Sequence, residues 1–283
     1  MGSRILREEL LDKLIEIAIE EDVASGDLAT DAIIGGDGVS QAIITAKADG
    51  VISGIGVARK VFARVASGDY SFDAYLNDGD FVKKGDKILE IKGRYNDLLI
   101  AERLMLNFLQ RMSGIATATH LLVSLIKGTK AVVLDTRKTA PGHRVTDKLA
   151  VRHGGGANHR MGLYDMAMIK DNHIKAAGGI TNAIKQVRSV SPLSVKIEVE
   201  TTNLKEVEEA LAGGADIIML DNMTTEAMKE AITIIAGRSK TEASGNITAE
   251  RIREVAETGV DYISVGALTH SVKALDMSMN FKI

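Results

Sequence analysis

From about residue 131 onward, short apolar runs alternate with stretches of helical periodicity. This alternation constrains the fold more than any other feature of the 283-residue chain. The strand candidates are Ala131–Asp135, Met166–Lys170, Val195–Val199, Asp216–Leu220, Lys240–Ala243 and Tyr262–Gly266. Between them, Asn182–Arg188, Leu204–Leu211, Glu226–Ile235 and Ala249–Glu257 place apolar residues three and four apart. Strands separated by helices pair in parallel through crossover connections, in a doubly wound sheet or a barrel. An internal echo favours the barrel. Gly214-Ala215-Asp216-Ile217-Ile218-Met219-Leu220 returns 45 residues later as Gly259-Val260-Asp261-Tyr262-Ile263-Ser264-Val265. Each copy sets a helix-ending glycine before an apolar strand, the mark of a repeated β/α unit. Only six strands are legible, so a complete eight-stranded barrel is not supported.

The texture differs before residue 115. Leu6, Leu10, Leu11, Leu14, Ile15 and Ala18 recur at helical spacing until Ser25-Gly26-Asp27 interrupts them. From Ile43 to Ile91 the turn sequences Asp49-Gly50, Ser53-Gly54, Asn77-Asp78-Gly79-Asp80 and Lys84-Gly85-Asp86 predict short β segments throughout. A helix over about 98–112 follows, with Leu104, Phe108, Leu109 and Met112 on its apolar side. The expected organisation is a small α/β domain over 1–115 and a β/α barrel over 116–271.

Composition excludes several classes. With no cysteine, the chain has no disulfide, no thiolate zinc site and no thiol nucleophile; it is compatible with a reducing cytosol. A net charge of −3, 4% aromatic residues and no tryptophan argue against a general nucleic-acid binder. Apolar runs such as Ile217–Leu220 are far too short to cross a bilayer, and Met1-Gly2-Ser3-Arg4 leads into an acidic amphipathic stretch unlike a signal peptide. The expectation is a soluble cytoplasmic protein with no membrane partner.

In parallel β/α folds, chemistry collects at the carboxyl ends of strands. Those ends read Asp135-Thr136-Arg137-Lys138, Lys170-Asp171-Asn172-His173, Glu198 and Glu200, Asp221-Asn222, Ser244-Gly245 and Gly266. Between Lys130 and Lys175 stand nine Lys/Arg against four Asp, with four of the six histidines (His143, His153, His159 and His173). Such a local cationic excess predicts an anionic ligand. Arg137 and Arg160 suit forked recognition of carboxylate or phosphate, and Lys138 and Lys170 act as point charges. Glu200 and Asp221 end successive strands. Two carboxylates beside a polyanion imply a cation between them, and hard oxygen donors suit Mg²⁺; the alternative is that one or both pair with Lys or Arg. Ser244-Gly245-Asn246 and Val265-Gly266-Ala267 offer backbone N–H groups suited to phosphate. Gly154-Gly155-Gly156 lacks the Gly-Lys-Ser/Thr of a P-loop, the histidines lack zinc-hydrolase spacing, and no Gly-x-Ser-x-Gly elbow is present.

These segments together resemble quinolinate phosphoribosyltransferases. The resemblance runs through Asn107-Phe108-Leu109-Gln110-Arg111-Met112-Ser113-Gly114, Asp135-Thr136-Arg137-Lys138-Thr139 and Asn158-His159-Arg160-Met161-Gly162-Leu163-Tyr164-Asp165. It continues in family order through Ile169-Lys170-Asp171-Asn172-His173, Glu198-Val199-Glu200, Met219-Leu220-Asp221-Asn222, Glu242-Ala243-Ser244-Gly245 and Gly259–Ser271. The pieces are weak singly and specific in combination, and they cover essentially the whole chain.

The resemblance implies an N-terminal α/β sandwich joined to an open, incomplete barrel, with the tail 272–283 returning to the first domain, and a homodimer. It implies an enzyme that converts quinolinate and phosphoribosyl pyrophosphate (PRPP) to nicotinate mononucleotide, pyrophosphate and CO2 with Mg²⁺. Arg111, lent by the partner subunit, would line the dicarboxylate pocket with Thr136, Arg137, His159 and Arg160. Lys138 and Lys170 would reach between the substrates, and Glu200 and Asp221 would hold Mg²⁺ and the ribose–pyrophosphate. Ser244, Gly245, Asn246, Val265, Gly266 and Ala267 would cradle the 5′-phosphate. Asn246 stands where the family often has glycine, and His143 where leucine is common. Two alternatives within the class are a nicotinate phosphoribosyltransferase and the paralogue found near molybdate-transport genes. A more distant one is a lipoyl- or biotinyl-like carrier module, because Asn77–Leu89 resembles half of such a module with Lys47 as attachment point.

Overall fold

The computed structural model describes residues 2–34 and 38–282, with side chains from residue 8 onward. Met1, the Leu6 side chain and Ile283 therefore lie outside the described residues. In chain order the elements are α1 (Gly2–Asp22), α2 (Leu28–Ile33), β1 (Val39–Ala46), β2 (Gly50–Val51), α3 (Ile55–Val65), β3 (Ser71–Ala74), β4 (Phe81–Val82) and β5 (Lys87–Arg94). They continue with α4 (Tyr95–Leu125), β6 (Val132–Leu134), α5 (Arg144–His153), β7 (Ala167–Ile169), α6 (Asp171–Ala177) and α7 (Ile180–Val190). The remainder is β8 (Ile197–Thr201), α8 (Leu204–Ala212), β9 (Ile217–Asp221), α9 (Thr225–Ile235), β10 (Lys240–Ser244), α10 (Ile252–Glu257), β11 (Tyr262–Ser264), α11 (Ala267–His270) and β12 (Met277–Lys282).

The chain forms two compact units. The first takes the chain up to His120, Thr139–Gly155 and everything from Leu268 onward; the second takes Leu121–Lys138 and Gly156–Ala267. In the first unit, a four-stranded antiparallel sheet has the order β12-β1-β5-β3, and β2 pairs with β4. The C-terminal strand thus lies beside β1, with Ala42 opposite Phe281.

One expectation fails in this unit. The stretch 43–91 is not β throughout, because Ile55–Val65 is the helix α3. Ile55, Ala58, Val61 and Phe62 are buried at helical spacing, so the periodicity is present. Its β-branched residues and the preceding Ser53-Gly54 turn imitate a strand signal, and burial of one helical face overrides that local preference. The helix expected over 98–112 is also longer, running from Tyr95 to Leu125 without a break at 115. Asn77–Leu89 supplies β4 and the start of β5, and the Lys47 N–H donates to Asp276 O rather than standing at a free hairpin tip.

The second unit is built on a six-stranded sheet ordered β6-β11-β10-β9-β8-β7. Every pairing is parallel, and β6 and β7 are open edges. The six expected strands are those observed, each displaced by no more than two residues at an end. Gly214 and Gly259, the echoed glycines, both take positive φ (79° and 92°) where α8 and α10 give way to strands.

Register decides the two faces. Tyr262, Glu242, Met219 and Glu200 share one row, and Ser244 and Asp221 share a row two residues further on. Glu198, paired with Met168, lies two residues before Glu200. Side chains alternate along a strand, so Glu198, Glu200, Asp221, Glu242 and Ser244 lie on one face. The other face carries Val133, Ile197, Val199, Ile218, Leu220, Ala243 and Ile263, all buried. Helices α7, α8 and α10 pack against these strands. An apolar face covered by helices and a polar face left to chemistry is the physical meaning of the alternation in the sequence. No helix among the described residues is long and apolar enough to cross a membrane.

Candidate active site

The segment that follows β6 is fixed first. Asp135 is fully buried, and its two oxygens accept Asn158 Nδ2 at 2.6 Å and the His159 N–H at 2.9 Å. Leu134 also bridges to Ala157. One carboxylate therefore ties the Asn158-His159-Arg160 segment to the strand end that carries Thr136, Arg137 and Lys138. The Thr136 hydroxyl accepts the Lys138 N–H at 3.1 Å, which turns the chain there.

Arg160 is half-buried. Its Nη1 donates to Met166 O at 3.1 Å, and Nη2 lies 3.7 Å from Met168 Sδ. Burial lowers its pKa, and the positive charge of Arg137 lowers it further. Two guanidinium groups set to repel each other mark a place for an anion. Asp165 accepts the N–H groups of Met161 and Gly162 at 2.7 and 3.1 Å, closing the turn between Arg160 and β7.

Lys170, after β7, reaches across to Glu200 on β8, with Nζ 2.8 Å from Oε2. Asp221, at the end of β9, accepts Asn222 Nδ2 at 2.8 Å through Oδ2. Asn222 in turn accepts Asn246 Nδ2 at 3.1 Å and sends its N–H to Ser244 O at 2.9 Å. The sequence reading quoted Asn222 without giving it a role, yet it is the joint between the β9 and β10 ends. A Cβ on Gly245 would stand 2.2 Å from Asn222 Oδ1, so only glycine permits this approach. Asn246 takes φ +50°, in the left-handed region that asparagine tolerates better than most residues. The departure from glycine at 246 therefore keeps the backbone geometry and adds a bond to Asn222. Val265 is buried, and Gly266 leads into α11 at Ala267.

His159 reports an arrangement that the sequence did not reveal. Its Nε2 lies 2.9 Å from Glu198 Oε2 and 3.5 Å from Glu242 Oε2, and these carboxylates are 0% and 1% exposed. Its Nδ1 accepts the Arg160 N–H at 2.7 Å. Burial favours a neutral imidazole, but the two glutamates outweigh it and push the ring up to about 10. The Arg160 N–H opposes that charge, because it occupies the nitrogen a second proton would need. A neutral ring carrying its one proton on Nε2 leaves the Nδ1 lone pair to accept the Arg160 N–H. Burial also pushes Glu198 up to about 7, against the pull of His159. Glu242 belongs to this cluster, and the polar run Lys240-Thr241-Glu242-Ala243-Ser244 gave no signal that set it apart.

Arg111 belongs to the first unit. Its Nε and Nη2 donate to Asp147 at 2.9 and 2.8 Å, and Nη2 also points to Thr269 O at 3.4 Å. Asp147 is fully buried on α5. His143 stands at the N-terminus of the same helix, 6.0 Å from the Phe108 ring, and burial lowers its pKa.

Comparison with known proteins agrees with this arrangement. Residues 27–113 match the N-terminal domain model of quinolinate phosphoribosyl transferase, and residues 115–280 match its C-terminal domain model. The stretch resembling a carrier module lies inside the first match. A Nicotiana glauca protein named quinolinate phosphoribosyltransferase [decarboxylating] 2, mitochondrial, is 46% identical over 288 residues, covering 95% of this chain and 81% of its own. A Bacillus subtilis protein named probable nicotinate-nucleotide pyrophosphorylase [carboxylating] is 43% identical, covering 95% and 93%. The crystal structure of NadC from Streptococcus pyogenes superposes with a TM-score of 0.92 at 44% identity, covering 96% of both chains. With both domain models matched in order, and an open six-stranded sheet whose strand ends carry the expected residues, the chain belongs to the quinolinate phosphoribosyl transferase family.

Proposed function

We propose that this protein transfers the phosphoribosyl group of PRPP to the ring nitrogen of quinolinate with loss of CO2, giving nicotinate mononucleotide and pyrophosphate. We further propose that it does so in the cytoplasm, as a homodimer, with Mg²⁺. The observation that carries this reading is the set of cations Arg137 and Lys138 after β6, Lys170 after β7 and Arg160 in the segment that Asp135 ties to the end of β6, in a chain of this family. A pyridine with two adjacent carboxylates supplies the negative charge that such a cluster needs. The guanidinium groups of Arg137 and Arg160 grip the carboxylates in the plane of the ring, and Lys138 and Lys170 add charge toward the pyrophosphate. The N–H groups of Ser244–Asn246 and Val265–Ala267 take the 5′-phosphate.

Glu200 and Asp221 fit a hard divalent cation. They lie on the same face of adjacent strands, and the contacts described use only Glu200 Oε2 and Asp221 Oδ2. When bound, Mg²⁺ would neutralise charge on the pyrophosphate leaving group. The residues of the chain do the rest. Departure of pyrophosphate leaves an oxocarbenium-like ribose, and the pyridine nitrogen is already a nucleophile, so orientation rather than a general base governs the rate. Once the nitrogen is quaternised, its positive charge stabilises the electron pair left on the adjacent ring carbon when the carboxylate leaves as CO2, and that carbon then takes up a proton from solvent.

Two measurements test this reading. With PRPP and Mg²⁺, the purified protein should release one CO2 per nicotinate mononucleotide formed. It should use nicotinate with a kcat/KM lower by roughly 10³-fold or more, because cations built for a second carboxylate are left unpaired. Equal kcat/KM for the two acids would defeat it. Separately, Asp221→Asn should keep its melting temperature and weaken Mg²⁺-dependent PRPP binding by roughly 10- to 100-fold, with quinolinate affinity nearly unchanged. Calorimetric titration with each substrate checks this; a large loss of thermal stability with intact PRPP binding would assign Asp221 a structural role instead.

A further inference from the structure

Deeper on the sheet face that carries Glu200 and Asp221 lies a second acidic pair that the reaction above does not use. Glu198 on β8 and Glu242 on β10 are essentially inaccessible to solvent. Among the described residues, Glu198 Oε1 and Glu242 Oε1 are buried without a hydrogen-bond partner, and Glu198 Oε2 meets His159 Nε2 at ion-pair distance without an aligned hydrogen bond. Buried carboxylates are costly to keep, so their presence calls for a compensating task. The group they surround is His159, whose Nε2 stands 2.9 and 3.5 Å from them. The ring is then held on its other side, where Nδ1 accepts the Arg160 N–H at 2.7 Å, and its backbone is held where Asp135 accepts the His159 N–H at 2.9 Å. Arg160 itself reaches back to Met166 O and Met168, beside Glu198 on the sheet. The run of contacts leads from two buried carboxylates, through one imidazole, to the backbone of the arginine that faces the anion site.

We propose that Glu198 and Glu242 are positioning residues: they take the Nε2–H of His159, which leaves Nδ1 to receive the Arg160 N–H and so fixes where the Arg160 guanidinium stands. His159 thus acts through Arg160, with both ring nitrogens engaged inside the protein. This inference rests on the quinolinate reading only for what Arg160 binds. The same three side chains offer ligand atoms within 4.8 Å of one another, the arrangement of a small metal site. Enclosure on all sides leaves such an ion no open coordination position, and we argue for the proton on Nε2 instead.

The test uses the full-length protein labelled with ¹⁵N-histidine. Two-bond ¹H–¹⁵N correlation at neutral pH should show one ring locked as the neutral Nε2–H tautomer, assigned to His159 by its loss in His159→Gln. In Glu198→Ala and in Glu242→Ala that signature should change, and the KM for quinolinate should rise roughly tenfold or more, the effect of one oriented hydrogen bond. The KM for PRPP should stay near that of the parent. Glu198→Gln, whose amide oxygen accepts the same bond, should restore the tautomer and most of the quinolinate affinity; a merely structural role would not separate the two substrates in this way. An imidazolium signature in the parent protein overturns the proposal. So does Glu198→Gln behaving as badly as Glu198→Ala, or an unchanged quinolinate KM in both alanine variants. A stoichiometric divalent ion in the purified protein, lost in Glu242→Gln, would replace it with a metal site. If the parent protein does not use quinolinate at all, the proposed function falls, and the histidine spectrum still decides the tautomer.

Discussion

Replacing Arg160 with methionine should lower kcat/KM for quinolinate by about 30- to 1,000-fold, equivalent to roughly 2–4 kcal/mol. The methionine keeps an apolar stem while removing the fork and its contacts with Met166 O and Met168 Sδ, so the loss belongs to the guanidinium. Arg160→Lys should recover only part of the activity, because an ammonium cannot span two carboxylate oxygens in a plane. Arg137 is exposed, so its replacement should cost less than that of the half-buried Arg160. The decisive comparison is between substrates. The KM for PRPP should move little in Arg160→Met, and the ratio of quinolinate to nicotinate turnover should collapse. An Arg160→Met enzyme with unaltered preference between the two acids would show that the second carboxylate is read elsewhere.

The second large effect concerns stability. Arg111→Ala should destabilise the first unit by about 3–5 kcal/mol, the cost of leaving a buried carboxylate without its partner. Asp147 is fully buried, and Arg111 donates two parallel hydrogen bonds to it. At roughly 2–4 °C per kcal/mol for a chain of this size, the melting temperature should fall by about 6–20 °C. Removing both partners as Arg111→Met with Asp147→Leu should restore most of the loss, because no charge is then stranded. Thermal melts of the two singles and the double measure the coupling; additive losses would mean that the pair contributes little.

This pair also shapes how a shared site is tested. Arg111→Ala confounds folding with catalysis, whereas Arg111→Lys keeps a cation beside Asp147. Subunits carrying Arg111→Lys, mixed with subunits carrying Lys138→Ala, should regain activity if two copies share each site.

How much of this was legible before folding depends on the range of the interaction that decides it. The six parallel strands, their helices and the Gly214 and Gly259 turns were legible because each is set by residues within one β/α unit, where periodicity and a positive-φ glycine act locally. The places of Arg137, Lys138, Lys170, Glu200 and Asp221 at or just after strand ends were legible because strand boundaries are set locally. The helix α3 was not, since its β-branched residues favour extended chain locally and only the burial of Ile55, Ala58, Val61 and Phe62 against the rest of the first unit makes it helical. Nor was the register of β12 against β1, which joins residues more than 200 positions apart; only the family resemblance put the tail with the first domain. The acidic cluster around His159 lies at the same extreme. Glu198 was legible as a strand-end carboxylate, but nothing in the sequence joins it to Glu242, 44 positions away, or to His159. They meet because β9 lies between β8 and β10 in register, and a histidine from the loop after α5 descends on them. Sequence by itself determined the chemistry available at the strand ends, because alternation along a strand is a local rule. Tertiary structure alone decided which buried charges face each other, because that depends on the order and register of strands, which no local preference encodes.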